Sequence, residues 1–274
     1  MFRGLGAGGD ELTPAILTRD THSVKIRSMN VEAISGSGAP QRDVHSRAAQ
    51  HAALAEPLRL RIADLLTLSD LSSSELRTQL GIRSNLLAHH LSVLEEAGLV
   101  QRRQSEGDRR RSYATLTSAH HSAAVSGPSP SHATQGDRPR RVAFICTGNS
   151  ARSPFAAARW NAGWGDEFGV RAVSAGTHPA PAPSPRSVKA AAALGVDLSA
   201  HTPRLIGTLN AKDLVVVVCD RAYEELSKGF RQHQPRIRHW SVPNPGPAGS
   251  TAAYENCFED LSRRVEALGS SRRC

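Results

Sequence analysis

Apolar residues recur at helical spacing through the first half of the chain and gather into short β-branched runs in the second. His45–Leu54 reads as a helix. Pro57 opens another over Leu58–Leu68, with Leu58, Ile62, Leu65 and Leu66 on one face. Ser72-Ser73-Ser74-Glu75 offers caps for a third helix that stops at Gly81. After the turn Ile82-Arg83, Ser84 caps a fourth helix over Asn85–Ala97, where Leu87, Leu91 and Leu94 form an apolar row and Gly98 is the stop signal. Leu99–Ser105 and Arg110–Thr117 read as strands around Glu106-Gly107-Asp108-Arg109, a hairpin signal.

Further on, Val142–Ile145, Val170–Ser174, Asp213–Cys219 and Ile237–Trp240 read as strands. Helices are expected from Pro154 to about Gly163, over Pro185–Leu194, through Tyr223–Leu226 and from about Thr251 to Leu268. The Asp213–Cys219 run does not alternate, which suits a strand buried on both faces of a parallel sheet. The fold class expected is therefore two domains: a mainly α winged helix-turn-helix over 43–117, then an α/β doubly wound parallel sheet over 140–270. Residues 1–42 have the composition of a disordered tail, and 118–139, with Ser126-Gly127-Pro128-Ser129-Pro130, that of a linker. Two folded units on a flexible tether are expected.

Composition changes this picture little. The 274 residues suffice for two cores, and the net charge of +9 permits nucleic-acid binding. The 34 basic residues are all arginine except Lys25, Lys189, Lys212 and Lys228, so a codon bias toward arginine explains much of the charge. Cys146, Cys219, Cys257 and Cys274 are scattered without framework spacing, which points to a reducing, cytoplasmic setting. No stretch approaches membrane-spanning length, so no membrane partner is expected. No metal site is expected either. His89 and His90 are adjacent on a helix and diverge, and His120-His121 lacks carboxylate partners.

The chemistry concentrates in Cys146-Thr147-Gly148-Asn149-Ser150-Ala151-Arg152-Ser153, between a strand and a helix opened by Pro154. Backbone N–H groups at a helix N-terminus favour an anion, and a thiol placed there becomes a nucleophile. Arg152 offers a planar fork to two oxygens of a tetrahedral oxyanion, Ser153 is placed to hydrogen-bond the sulfur, and Gly148 is read as supplying an unusual backbone angle. The candidate oxyanion cradle is Thr147, Gly148, Asn149, Ser150, Ala151 and Arg152. An ordinary βα turn with a buried cysteine is the plainer alternative.

This stretch resembles the low-molecular-weight protein tyrosine phosphatases and their arsenate reductase branch, which share a C-x5-R-S loop after the first strand of a four-stranded parallel sheet. The resemblance implies that Cys146 attacks phosphorus or arsenic, that Arg152 holds equatorial oxygens, and that a later Asp-Pro loop supplies an acid. Here that loop reads Pro243-Asn244-Pro245, and an amide cannot deliver the proton. For arsenate reduction the resemblance makes Cys219 a candidate second thiol. Its expected partner is absent, because Leu226 stands there and Asp220–Ser227 holds no cysteine. No bound cofactor is implied; the reductant would be an external thiol or redoxin. A buried hydrophobe is the other reading of Cys219, and Cys257 and Cys274 read as incidental.

The stretch Ala88 to Val100 resembles the recognition helix and first wing strand of ArsR-type repressors. That implies a DNA partner and, by fold analogy, a homodimer. The expected DNA contacts are Ser84, Asn85 and His89 on the helix and Arg102, Arg103, Arg109, Arg110 and Arg111 on the wing. The unit lacks the cysteines of a thiol sensor site. Three functions fit: a DNA-binding regulator fused to a thiol-dependent arsenate reductase, a regulator whose degenerate enzyme domain senses an oxyanion or arsenic, or a protein tyrosine phosphatase.

Overall fold

Helices α1 (Ala39–Leu54), α2 (Pro57–Leu68), α3 (Ser73–Leu80) and α4 (Ser84–Glu96) build the first domain of the computed structural model. The structure describes residues 39–117, 139–229 and 236–271. Nearly all of the expected tail, the expected linker short of its last residue, and Cys274 lie outside them. The helix ends follow local chemistry. Ser72 and Glu75 form a reciprocal capping box at α3, and Gly81 closes it at φ 66°. Ser84 is the first helical residue of α4 rather than its cap; Arg83 takes the cap position and makes no side-chain cap bond. Leu87, Leu91 and Leu94 are buried against Ile62, Leu66, Leu76 and Leu99. Strands β2 (Val100–Gln104) and β3 (Ser112–Leu116) pair antiparallel as the wing, and β3 also pairs with the short β1 (Leu71–Ser72).

The second domain holds β4 (Arg141–Cys146), α5 (Arg152–Trp160), β5 (Ala172–Gly176), α6 (Pro185–Ala193), β6 (Asp213–Val217), α7 (Asp220–Gly229), β7 (Arg236–His239) and α8 (Thr251–Ser270). The four strands are parallel in the order β5-β4-β6-β7. Every residue of β6 is buried, as the apolar run Leu214–Val217 requires when helices cover both faces; Asp213, which opens the strand, pairs with Arg141 at 2.9 Å. Below the sheet, Phe155 of α5 stacks on Phe258 of α8 at 4.1 Å. The Trp160 indole N–H donates to the Val170 carbonyl at 2.7 Å. A π-helical turn, Asn161–Gly165, prolongs α5 beyond the expected stop near Gly163.

The described residues from 41 onward form one compact unit, so the two domains are docked and not merely tethered. The seam is polar and buried. The Asp70 N–H donates to the His239 carbonyl at 2.7 Å, and the His239 N–H donates to Ser69 Oγ at 2.8 Å. These bonds fall on β7, the edge strand of the parallel sheet, and cover backbone groups that an edge otherwise leaves open. Asp70 also accepts from the Ser241 N–H at 2.7 Å and pairs with Arg264 at 2.9 Å. Burial pushes the Asp70 carboxyl up, and Arg264 and His239 pull against it. The Tyr223 hydroxyl donates to Glu75 at 2.6 Å, and the Tyr113 hydroxyl to Glu224 at 3.0 Å. His239 stacks on Tyr223 at 4.1 Å.

Candidate functional site

Strand β4 ends at Cys146 and α5 begins at Arg152, so residues 147–151 form the loop between them at the C-terminal end of the sheet. The loop's carbonyls are held outward. Cys146 O accepts from the Thr177 N–H at 3.1 Å, Thr147 O from His178 at 2.9 Å, and Gly148 O from Ala180 at 2.9 Å. Asn149 O accepts from His201 Nε2 at 3.0 Å and Ser150 O from Ser187 Oγ at 2.8 Å. In a trans peptide the following N–H points opposite its carbonyl. Five consecutive amides, from Thr147 to Ala151, are therefore turned toward the loop's interior. The Asn149 N–H shows this directly, donating to Cys146 Sγ at 3.2 Å.

Asn149, and not Gly148, carries the unusual backbone angle, with φ 47°. Its side chain explains why asparagine tolerates that angle. Nδ2 donates to Ser153 Oγ at 2.9 Å and Ser174 Oγ at 3.0 Å, while Oδ1 accepts from the Arg204 N–H at 2.9 Å. Asn149 thus fastens the loop to β5 and to the segment before β6. Gly176, opposite Cys146 in the sheet register, leaves room for this packing. A Cβ there would lie 2.5 Å from the Thr147 carbonyl oxygen and 3.1 Å from the Asn149 nitrogen. Gly176→Ala is expected to displace the loop, costing about 1–3 kcal/mol of stability and roughly 10²-fold in turnover or oxyanion affinity. Thermal denaturation and phosphate titration would measure the two effects.

Cys146 Sγ lies 3.0 Å from Ser153 Oγ, so sulfur meets a hydroxyl and a backbone donor. Arg152 is buried and donates from Nη1 to the Val242 carbonyl at 2.8 Å. Burial works against its charge, but the Glu106 carboxylate bonded to it holds it protonated. Cys219 follows β6 at the same end of the sheet, with its sulfur 3.5 Å from Thr147 Oγ1. Burial pushes its thiol up to about 11, against the pull of Arg152. Cys257, on α8 beneath, is pushed up to about 12 by burial and feels Arg152 as well. The structure thus gathers Cys146, Arg152, Ser153 and Cys219. Among the described residues, no group of three or more His, Cys, Asp and Glu side chains is arranged to hold a metal ion.

A cleft of about 590 Å³ opens above the loop, lined by Cys146, Arg152, Arg221 and Asn244 and by Arg103 and Arg109 of the wing. Sequence reasoning missed this wall because Glu106-Gly107-Asp108-Arg109 signalled only a turn. Glu106 reaches from the hairpin tip into the site. Its Oε1 accepts from Arg152 Nη1 at 2.6 Å, and its Oε2 from the Asn244 N–H at 2.9 Å. The tip is pinned by the Glu106 N–H on Asp220 at 3.0 Å and by Ser105 Oγ and the Asp108 N–H on Glu224 at 2.7 and 2.8 Å.

The expected DNA contacts therefore divide. Ser84, Asn85 and His89 are exposed on α4, and His90 is buried. Arg102 lies beside α4, bonded through two nitrogens to Glu95 at 2.6 and 2.7 Å. Arg110 pairs with Asp108 at 3.0 Å, and the Tyr113 hydroxyl raises the Arg111 guanidinium above its ordinary value. Of the expected wing contacts, Arg103 and Arg109 face the cleft above the Cys146 loop. They line the cleft because the hairpin tip is tied down by Asp220 and Glu224.

Comparison with known proteins agrees with this geometry. Residues 54–103 match the family "Helix-turn-helix domain", and residues 141–272 match "Low molecular weight phosphotyrosine protein phosphatase". Arsenate reductase 2 of Staphylococcus haemolyticus is 39% identical over 132 residues, covering 47% of this chain and 95% of the relative. The arsenate reductases of Bacillus subtilis and Halalkalibacterium halodurans are 32% and 28% identical over 139 and 137 residues, with the same coverage. Identity and coverage at this level, over residues that include the whole Cys146 loop, place the chain in the low-molecular-weight phosphotyrosine protein phosphatase family, among relatives that include arsenate reductases, with a helix-turn-helix domain ahead of the α/β domain.

Proposed function

We propose that this chain is a DNA-binding transcriptional regulator whose second domain is a thiol-dependent arsenate reductase. The observation that carries the reading is a cleft lined by Cys146 and Arg152, with Cys219 buried beside it, its sulfur 3.5 Å from Thr147 Oγ1. In the first step Cys146 Sγ forms a bond to arsenic(V) and one arsenate oxygen leaves as water. In the second, a thiolate attacks Cys146 Sγ, the S–As bond breaks, and its electron pair goes to arsenic. Arsenite leaves and the two sulfurs are joined as a disulfide. Cys219 is the internal candidate for that thiolate, and an external thiol or redoxin then reduces the disulfide. The protein needs no bound cofactor in this scheme. Reduction is favoured over phosphomonoester hydrolysis because Asn244 cannot protonate an ester oxygen, whereas arsenate oxygen leaves readily as water.

The exposed side of α4, with Ser84, Asn85 and His89, would enter the major groove, in a homodimer inside the cytoplasm. A second reading, that the domain senses an oxyanion or arsenic without turning it over, draws on Glu106 already bonded to Arg152. The test is to incubate the full chain with arsenate and a monothiol, a dithiol or a thioredoxin system, and to follow arsenite. Arsenite formation with at least one donor is expected; none with any donor leaves the sensor and the phosphatase. Wild-type hydrolysis of p-nitrophenyl phosphate is expected to be slow, and Asn244→Asp to raise it by roughly 10²-fold. An Asn244→Asp protein no faster than wild type would mean that the acid position is not what limits hydrolysis.

A further inference from the structure

The contact between Glu106 and Arg152 joins the two halves of the chain through the one side chain that an oxyanion most needs. We propose that Glu106 is a built-in competitor of the oxyanion: its carboxylate holds Arg152 until a phosphate-like anion takes its place, and that exchange loosens the wing from the α/β domain. The proposal rests on reading the Cys146 loop as an oxyanion site and adds its regulation.

Three observations support it. The first is stereochemical. Glu106 Oε1 lies 2.6 Å from Arg152 Nη1, where a fork that is to hold a tetrahedral anion must be free. The second is electrostatic. Both carboxylate oxygens are engaged by donors, Oε2 by the Asn244 N–H at 2.9 Å, and those donors would equally serve an oxyanion. A dianion and this carboxylate cannot share the guanidinium without like-charge repulsion. The third is mechanical. Glu106 sits at the tip of a hairpin whose neighbouring amides are bonded to Asp220 and Glu224, and Gly107 packs closely on Arg221 and Glu224 of α7. Moving the Glu106 side chain strains those bonds, and the hairpin is continuous with the strands that follow α4. An anion bound by the loop is thereby linked to the position of the wing and its five arginines.

The link is reciprocal, because each ligand of a coupled pair changes the other's affinity by the same factor. Whatever draws the wing away, a DNA backbone included, frees Arg152 and favours the oxyanion. Whatever fills the loop favours a free wing. The alternative role for Glu106 is that of the proton donor which Asn244 cannot be. The geometry speaks against it: both Glu106 oxygens act as acceptors, one from Arg152 Nη1 and one from the Asn244 N–H, and neither is left to donate toward a leaving group.

The experiment titrates the full chain and its Glu106→Gln variant with inorganic phosphate by calorimetry, and follows hydrogen exchange of the wing amides. Glu106→Gln is expected to bind phosphate about 10-fold more tightly, and Glu106→Ala to do the same. In the wild-type chain, saturating phosphate is expected to speed exchange at the Glu106 and Asp108 amides. Equal phosphate affinity in all three proteins overturns the proposal. So does a wing that stays equally protected with phosphate bound. If turnover falls in Glu106→Gln while phosphate affinity stays the same, Glu106 is the proton donor and not a competitor. If none of the folded proteins binds phosphate, the oxyanion site itself is lost as a reading, a result distinct from the other three.

Discussion

A Cys146→Ser protein yields no measurable arsenite from arsenate, a loss on the order of 10³-fold or more, because removing a nucleophile removes the covalent step and not merely part of its stabilisation. Serine fits the same space, and its hydroxyl can keep the bonds from the Asn149 N–H and with Ser153. The variant therefore melts near the wild-type temperature and still binds phosphate and DNA. Cys219→Ser tells a different story. The Cys219 thiol is pushed up to about 11 by burial, so little of it is thiolate near neutrality. If it resolves the adduct, its loss slows turnover under limiting external thiol, and a high concentration of small thiol restores the rate. Retained turnover in Cys146→Ser, read as arsenite formed per chain, would remove the mechanism.

Arg264→Ala has the next largest effect, and it falls on stability. Asp70 is fully buried, and Arg264 is the cation at 2.9 Å from it. Breaking a buried pair by removing one partner costs about 3–5 kcal/mol, which for a folded unit of this size lowers Tm by roughly 10 °C. The sign of the pH dependence follows from burial, which already raises the Asp70 carboxyl above its ordinary 3.8. Without Arg264 that carboxyl rises further. A group with a raised folded pKa contributes most below its unfolded pKa and loses that contribution as pH rises. The deficit of Arg264→Ala relative to wild type is thus largest at neutral pH and shrinks as pH falls toward 4. A deficit that is independent of pH between 4 and 7 would mean that Asp70 is not the group left stranded.

The sequence makes legible whatever depends on near neighbours. Ser72, Glu75 and Gly81 mark the ends of α3 because capping is decided within one turn. The Leu87, Leu91 and Leu94 row marks the buried side of α4 because helical period alone sets it. The Cys146 loop is legible because nucleophile, fork and helix start lie within eight residues. Two local readings needed refinement. Asn149 took the angle assigned to Gly148, since its side chain can bond to three separate segments. Ser84 joined α4 as its first helical residue instead of capping it. The seam between domains was not legible at all. Asp70 and Arg264 stand 194 residues apart, and Ser105 and Glu224 stand 119 apart. Nothing in a run of polar residues distinguishes a solvated face from half of a buried bond. Glu106 was hidden for the same reason, its partners lying 46 and 138 residues away.

The cover that Ser69 and Asp70 place on β7 bears on how this protein is handled and degraded. A fragment cut between the domains would expose His239 backbone groups on an edge strand whose neighbour, β6, is apolar from Leu214 to Val217. Such an edge is a template for pairing with another chain. Proteolysis in the 118–138 region would not by itself separate the halves, since the seam bonds remain. Separation by truncation, in contrast, leaves a sticky α/β half and a helix-turn-helix half with Asp70 and Tyr113 newly wetted. The helix-turn-helix part thus also seals one edge of the sheet it covers.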